Sequence, residues 1–91
     1  MRILQREDAK EGAFYIEENG ESVAELTYTL EKGKMVIQHT EVDESLRGKN
    51  VGYDLVERAV EFARESNLKI VPVCRFAKKV LEKHASFQDV L

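Results

Sequence analysis

The sequence predicts an α+β domain on one mixed sheet: an antiparallel four-stranded meander, then a helix, a parallel strand and a second helix. Three observations carry that expectation. Apolar and polar residues alternate through SVAELTYTL, residues 22–30, the pattern of a half-buried strand. Asn19-Gly20 and the EKGK segment at 31–34 punctuate the first half as hairpin turns do. From Val51 onward the apolar spacing changes to three and four, which is the period of an amphipathic helix.

Taken in order, residues 1–7 and 13–17 read as short strands separated by AKEG, and residues 22–30 and 35–42 complete the meander. Gly52, Leu55, Val56, Ala59, Phe62 and Ala63 form one face of a helix of about four turns. Asn67 is its stop. LKIVPV at 68–73 is a short apolar run, read as a strand buried on both sides. A helix follows at 76–83, and HASFQDVL closes the chain as an irregular or short extended tail. The link between the strands at 35–42 and 68–73 spans about 25 residues and contains a helix, so those strands can lie parallel through a right-handed crossover. Ligands in such units gather beyond the strand ends, at the N-terminus of the crossover helix.

Composition narrows the function. The chain has 91 residues, 43% hydrophobic and 34% charged, enough for one core and a single domain over residues 1–91. Fourteen basic against 17 acidic residues give a net charge of −3, which argues against nucleic acid as a partner. Arg47 with Lys49, and Arg75 with Lys78 and Lys79, are the clusters able to hold a small anion. One cysteine, Cys74, excludes an internal disulfide and a CxxC pair. The start of the chain lacks the apolar run of a secretory signal and no stretch is long enough to span a membrane. A cytoplasmic protein without a membrane partner, monomeric or weakly dimeric, is expected. The acidic groups at 17–21 and 43–44 lack the His or Cys companions of a transition-metal site, so no metal is expected.

The functional signal is RGKNVG at 47–52. Backbone N–H groups at a helix N-terminus have no partner inside the helix, and the helix dipole places partial positive charge there. Small residues let a phosphate approach, and Arg47 and Lys49 would add charge. Neither a P-loop nor a GxGxxG fingerprint is present. A plainer reading stands beside this one: Gly48 makes a tight turn, Asn50 caps the helix, and Gly52 lets helix and sheet pack closely. Cys74, before a basic helix, is either a reactive thiolate favoured by that helix and Arg75, or a small buried hydrophobe. His39 shares a strand face with Met35 and Ile37 by spacing, and is either a general base or a half-buried structural histidine. His84 reads as a surface or capping residue.

This order of strand, RxxGxG-type turn, helix, short strand and helix resembles the GCN5-related N-acetyltransferase (GNAT) superfamily, with Asn50 where the motif has its first glycine. HTEV at 39–42, the runs at 47–65 and 68–84, and FQDV at 87–90 resemble more narrowly the small, YjdJ-type acetyltransferase-like branch. The resemblance implies a minimal GNAT-like fold and acetyl-coenzyme A as cosubstrate. It implies that Val42, Asp43, Arg47, Gly48, Lys49, Asn50, Val51, Gly52 and Tyr53 hold that cosubstrate, and that Cys74 and His39 lie on the catalytic side. The acceptor would be an amine, on a small molecule or a protein. Larger members use a tyrosine after the fifth strand as acid; here Phe76 and Phe87 occupy that region. Either Cys74 takes part, or solvent protonates the departing thiolate, or the protein is a weak or inactive coenzyme A-binding or partner-binding module. Only about five residues separate the first two strands, too few for the helices that wall the acceptor site in larger relatives.

Overall fold

The computed structural model describes residues 2–91. Strands β1 (Leu4–Glu7), β2 (Glu11–Glu18), β3 (Glu21–Glu31) and β4 (Lys34–Val42) pair in succession, all antiparallel. Helix α1 (Val51–Glu65) carries the chain back, β5 (Lys69–Pro72) pairs with β4 in parallel, and α2 (Arg75–Lys83) follows. The sheet order is β1-β2-β3-β4-β5. Asn19 and Gly20 have φ of 54° and 80°, the two left-handed residues that a type I′ hairpin requires. Lys32 and Gly33 repeat the device, with φ of 42° and 81°.

One face of the sheet makes the core. Phe14, Ile16, Leu26, Tyr28, Met35 and Ile37 meet Leu55, Val56, Ala59, Val60 and Ala63 of α1, and all are buried. Phe14, Tyr28 and Phe62 form an aromatic group with centroids 5.6–5.8 Å apart, within the range where ring pairs attract. The Tyr28 hydroxyl donates to Glu7 at 2.6 Å and accepts from Gln5 Nε2 at 2.9 Å, tying β1 to the core. Burial, and then the bond to Glu7, push this phenol well above its ordinary value. Among the described residues, no helix packs on the opposite sheet face.

Three features depart from the sequence expectation. The 68–73 run is not buried on both sides: β5 is the sheet edge, Ile70 alone is buried, and Val71 and Val73 are 38% and 60% exposed. The chain turns back toward α1 after β5, leaving the Val71 and Val73 side chains on the other face exposed. The tail is neither irregular nor extended. Residues Ala85–Val90 form a 3-10 segment that buries Phe87 and Val90, worth about 2 kcal/mol for the phenylalanine alone.

The third departure is a β-bulge. Thr27 faces His39 and Tyr28 faces Ile37, leaving Gln38 as the extra residue of β4. One added residue reverses side-chain alternation. His39 therefore leaves the Met35–Ile37 face and stands exposed beside Thr27 on the helix-free face, while Thr40 turns inward opposite Leu26.

Candidate functional site

The connection from β4 to α1 is built in three steps. Asp43 N–H donates to Val23 O at 2.8 Å, and the Asp43 carboxylate accepts from Ser45 N–H at 3.3 Å and from the Ser45 hydroxyl. These bonds, the hydroxyl first, hold that carboxyl below its usual range. A single 3-10 turn (Glu44–Leu46) follows, anchored by buried Leu46. Gly48 and Asn50 then both take left-handed conformations, φ 79° and 61°, which Gly adopts freely and Asn more readily than other residues. Asn50 occupies the N-cap position, yet its side chain caps nothing. The expected side-chain cap is absent because the left-handed backbone replaces the extended conformation that a capping Asn uses.

The first bond of α1 is Asp54 N–H to Asn50 O, 3.0 Å. The N–H groups of Val51, Gly52 and Tyr53 precede it and find no acceptor among the described residues. They face a cleft of about 800 Å³ between this turn, the end of β4 and α2. Val42, Leu46, Val51, Phe76 and Val80 supply its apolar lining; Arg47, Lys79 and Lys83 supply its cations. Unpaired amides, a helix dipole and three cations over an apolar floor suit a long ligand carrying a diphosphate.

Gly52 permits the cleft to close on one side. A Cβ there would lie 2.6 Å from Phe76 Cζ, so the glycine serves contact between α1 and α2 rather than helix-to-sheet packing. Cys74 takes the N-cap position of α2, half-buried, with Sγ 3.5 Å from the Thr40 hydroxyl. Val73 and Cys74 N–H both donate to Ile37 O, at 3.0 and 3.1 Å. Beyond that point β4 runs on from Gln38 to Val42 without a β5 partner, and the Cys74–Thr40 contact is what joins it to the start of α2.

Of the expected cosubstrate residues, Val42, Arg47, Gly48, Asn50, Val51, Gly52 and Tyr53 line the cleft. Asp43 and Lys49 do not: Asp43 is occupied with Ser45, and Lys49 lies exposed on the turn between the two left-handed residues. The two basic clusters contribute one residue each, Arg47 and Lys79, with Lys83 added one turn further along α2. His39 and Cys74 are not on one surface. Cys74 touches Thr40, and His39, its neighbour in β4, points to the other sheet face. There His39 borders a shallow depression of about 450 Å³ with Arg6, Asp8, Glu11 and Gln38.

His84 caps the C-terminus of α2, as one sequence reading had it, but its place in the cleft lining was not foreseen. It is half-buried in the cleft lining, its ring 5.0 Å from Tyr53 and 5.4 Å from Phe87, and those two rings lie 5.9 Å apart. Burial, then the charge of Glu57, push the Tyr53 phenol above its ordinary value. The FQDV segment at 87–90 was the available signal that the tail returns to this site.

No helix among the described residues is long and apolar enough to cross a membrane. A family model described as GCN5-related N-acetyl-transferase matches residues 13–90. The Danio rerio protein NATD1 is 33% identical over 85 residues, covering 91% of this chain and 77% of that protein. The solution structure of a GCN5-like protein from Staphylococcus aureus is 40% identical with a TM-score of 0.72, covering 96% of this chain and 85% of that one. The ribosomal-protein-alanine N-acetyltransferase of Brucella melitensis, at 21% identity and TM-score 0.67 over 86% of this chain and 63% of its own, shares the fold. With a family match over most of its length and a mixed sheet whose crossover helix opens on free amides, the chain belongs to the GCN5-related N-acetyltransferase family.

Proposed function

We propose that this protein transfers an acetyl group from acetyl-coenzyme A to an amine, with the donor in the cleft between the α1 N-terminus and α2. The observation that carries the reading is the free amides of Val51, Gly52 and Tyr53, set beside Arg47 and Lys79 at the end of β4. The cosubstrate supplies an activated acetyl thioester. A diphosphate at the amides directs the remaining chain of the ligand along Val42 toward Thr40, where β4 runs on without a β5 partner. For an amine entering from the helix-free face, His39 is the proposed base for the ammonium proton, being the imidazole exposed on that face. Nitrogen then bonds to the thioester carbon, the C–S bond breaks, and the departing thiolate takes a proton from the Cys74 thiol or from water, a donor that the proton lost by the amide nitrogen restores. Tyr53 is a poor acid for this step, since its phenol is held high and it stands with His84. The depression beside His39 is open, which fits an extended or macromolecular amine. The YjdJ-type branch and a cytoplasmic setting belong to the same proposal.

A second reading, a coenzyme A-binding module with little transfer, is favoured by the separation of His39 from the cleft. Residue-resolved NMR titration with acetyl-coenzyme A, coenzyme A and ATP addresses the donor: shifts are expected at residues 42–56 and 72–84 with both coenzymes. No shifts at millimolar coenzyme would reject both readings. Intact mass and release of free thiol address transfer. Acetylation lost in Cys74→Ser marks a covalent route, amine-dependent thiol release without acetylated protein marks direct transfer, and neither leaves the binding module.

A further inference from the structure

The helix-free face of the sheet is ordered in cross-strand rows. Ala13, Thr27 and His39 stand abreast on β2, β3 and β4; Tyr15, Glu25 and Glu41 form the row on one side, and Glu11, Thr29 and Val36 the row on the other. Rows two residues apart share a face, about 7 Å from one to the next. Each flanking row borders a depression rimmed by carboxylates. Glu11 shares the one beside His39 with Glu7 and Asp8, and Glu25 and Glu41 share the other, of about 300 Å³, with Asp43. Among the described residues, Arg6 is the one lysine or arginine in either lining, and it is already committed: it pairs with Glu25 and lies 5.1 Å from the centre of the Tyr15 ring. Glu41, directly opposite Glu25, has no ion pair among the described residues, and carboxylates facing each other across a strand pair repel. Cations laid over these rows relieve that repulsion. Val71, beside Val36, and Val73 stay exposed at the sheet edge.

We propose that this face receives an extended basic segment of a polypeptide, its reactive lysine over His39 and further lysines or arginines, two residues before and after it, over the flanking rows. The proposal rests on the amine-transfer reading above and names its acceptor. An extended chain repeats its side-chain direction every second residue, as the rows do. A small polyamine would leave much of its surface in water over depressions this shallow, whereas a polypeptide spans both and reaches Val71 and Val73. Amide-shift titration of the full chain tests it, without donor, using peptides whose central lysine is flanked at those two positions by lysine, glutamine or glutamate, and using spermidine as a free polyamine. The lysine-flanked peptide is expected to shift Glu25, Thr27, Thr29, His39 and Glu41. It should bind about fivefold more tightly than the glutamine-flanked peptide at low salt and lose that margin near about 1 M salt. Glu41→Lys, at an exposed position, should erase the margin and strengthen binding of the glutamate-flanked peptide, a reversal that a damaged fold would not produce. Equal binding of the lysine- and glutamine-flanked peptides, shifts away from this face, or tighter binding of spermidine than of the peptide would overturn this proposal and leave the donor cleft standing. Absent coenzyme shifts at residues 42–56 would overturn the donor reading, while peptide shifts on this face would still uphold the docking surface.

Discussion

At the scale of the residue, two glycines in tight places have opposite consequences. A Cβ on Gly12 would lie 2.5 Å from the Tyr28 hydroxyl and 2.7 Å from the Arg6 carbonyl oxygen. The second is main chain within a strand pair and cannot yield, and the first would break the Tyr28–Glu7 contact. Gly12→Ala is therefore expected to cost about 1–3 kcal/mol, read as a fall in Tm of roughly 4–8 °C per kcal/mol. At Gly52 the obstacle is the tip of Phe76, a ring already 42% exposed that can swing aside. Gly52→Ala gains about 0.5–1 kcal/mol of helix preference, which offsets the shift of the ring. Its Tm should stay near wild type while affinity for coenzyme A falls, because the displaced ring enters the cleft. A large Tm loss at Gly52, or unchanged binding, would show that the Phe76 contact is not what that glycine serves.

At the scale of the element, the 3-10 tail is held by a pairing that pH can open. Arg64 donates to both Asp89 carboxylate oxygens, at 2.9 and 2.8 Å, and also to Ser86 O; Lys69 Nζ donates to Asp89 O at 2.7 Å. The Arg64 hydrogen bonds hold the Asp89 carboxyl below its ordinary 3.8. A depressed carboxyl stabilises the fold above the unfolded value and loses that contribution as pH falls through the folded one. Asp89→Asn should lower Tm at pH 7, and the difference from wild type should vanish as acid titrates the pair; a difference that persists at pH 2 would assign the effect to packing. Elements that announce themselves locally were legible in the sequence. Asn19-Gly20 specified its hairpin because both positions demand left-handed backbone, and the stripe from Leu55 to Ala63 specified α1 because burial follows the helical period. The bulge at Gln38 was not legible, since no residue type marks it, and it alone moved His39 across the sheet. The cleft was half legible. Its turn is contiguous at 47–52, whereas Lys83 and His84 reach it only through the crossover and the folded-back tail.

At the scale of the whole molecule, a five-stranded sheet that ends on a short apolar strand faces the hazard of pairing with another chain. Lys69 N–H donates to Gly33 O, just before β4, and Val73 N–H to Ile37 O within it, so the main chain of the alternate residues Ile70 and Pro72 is directed to the open edge. Pro72 has no N–H to offer there. A partner strand would find one donor, at Ile70, where a regular edge of this length offers two. The exposed Val71 and Val73 side chains supply the apolar surface that would otherwise favour such pairing. The edge is thus left open on its side chains and blocked on its backbone. Pro72→Thr restores the donor and a β-branched side chain without touching the core, because Pro72 packs at the rim. The variant is expected to keep its far-ultraviolet spectrum at low concentration and to self-associate more than wild type as concentration rises, measured by sedimentation velocity. Equal association would mean that the missing donor at Pro72 is not what keeps the β5 edge from pairing.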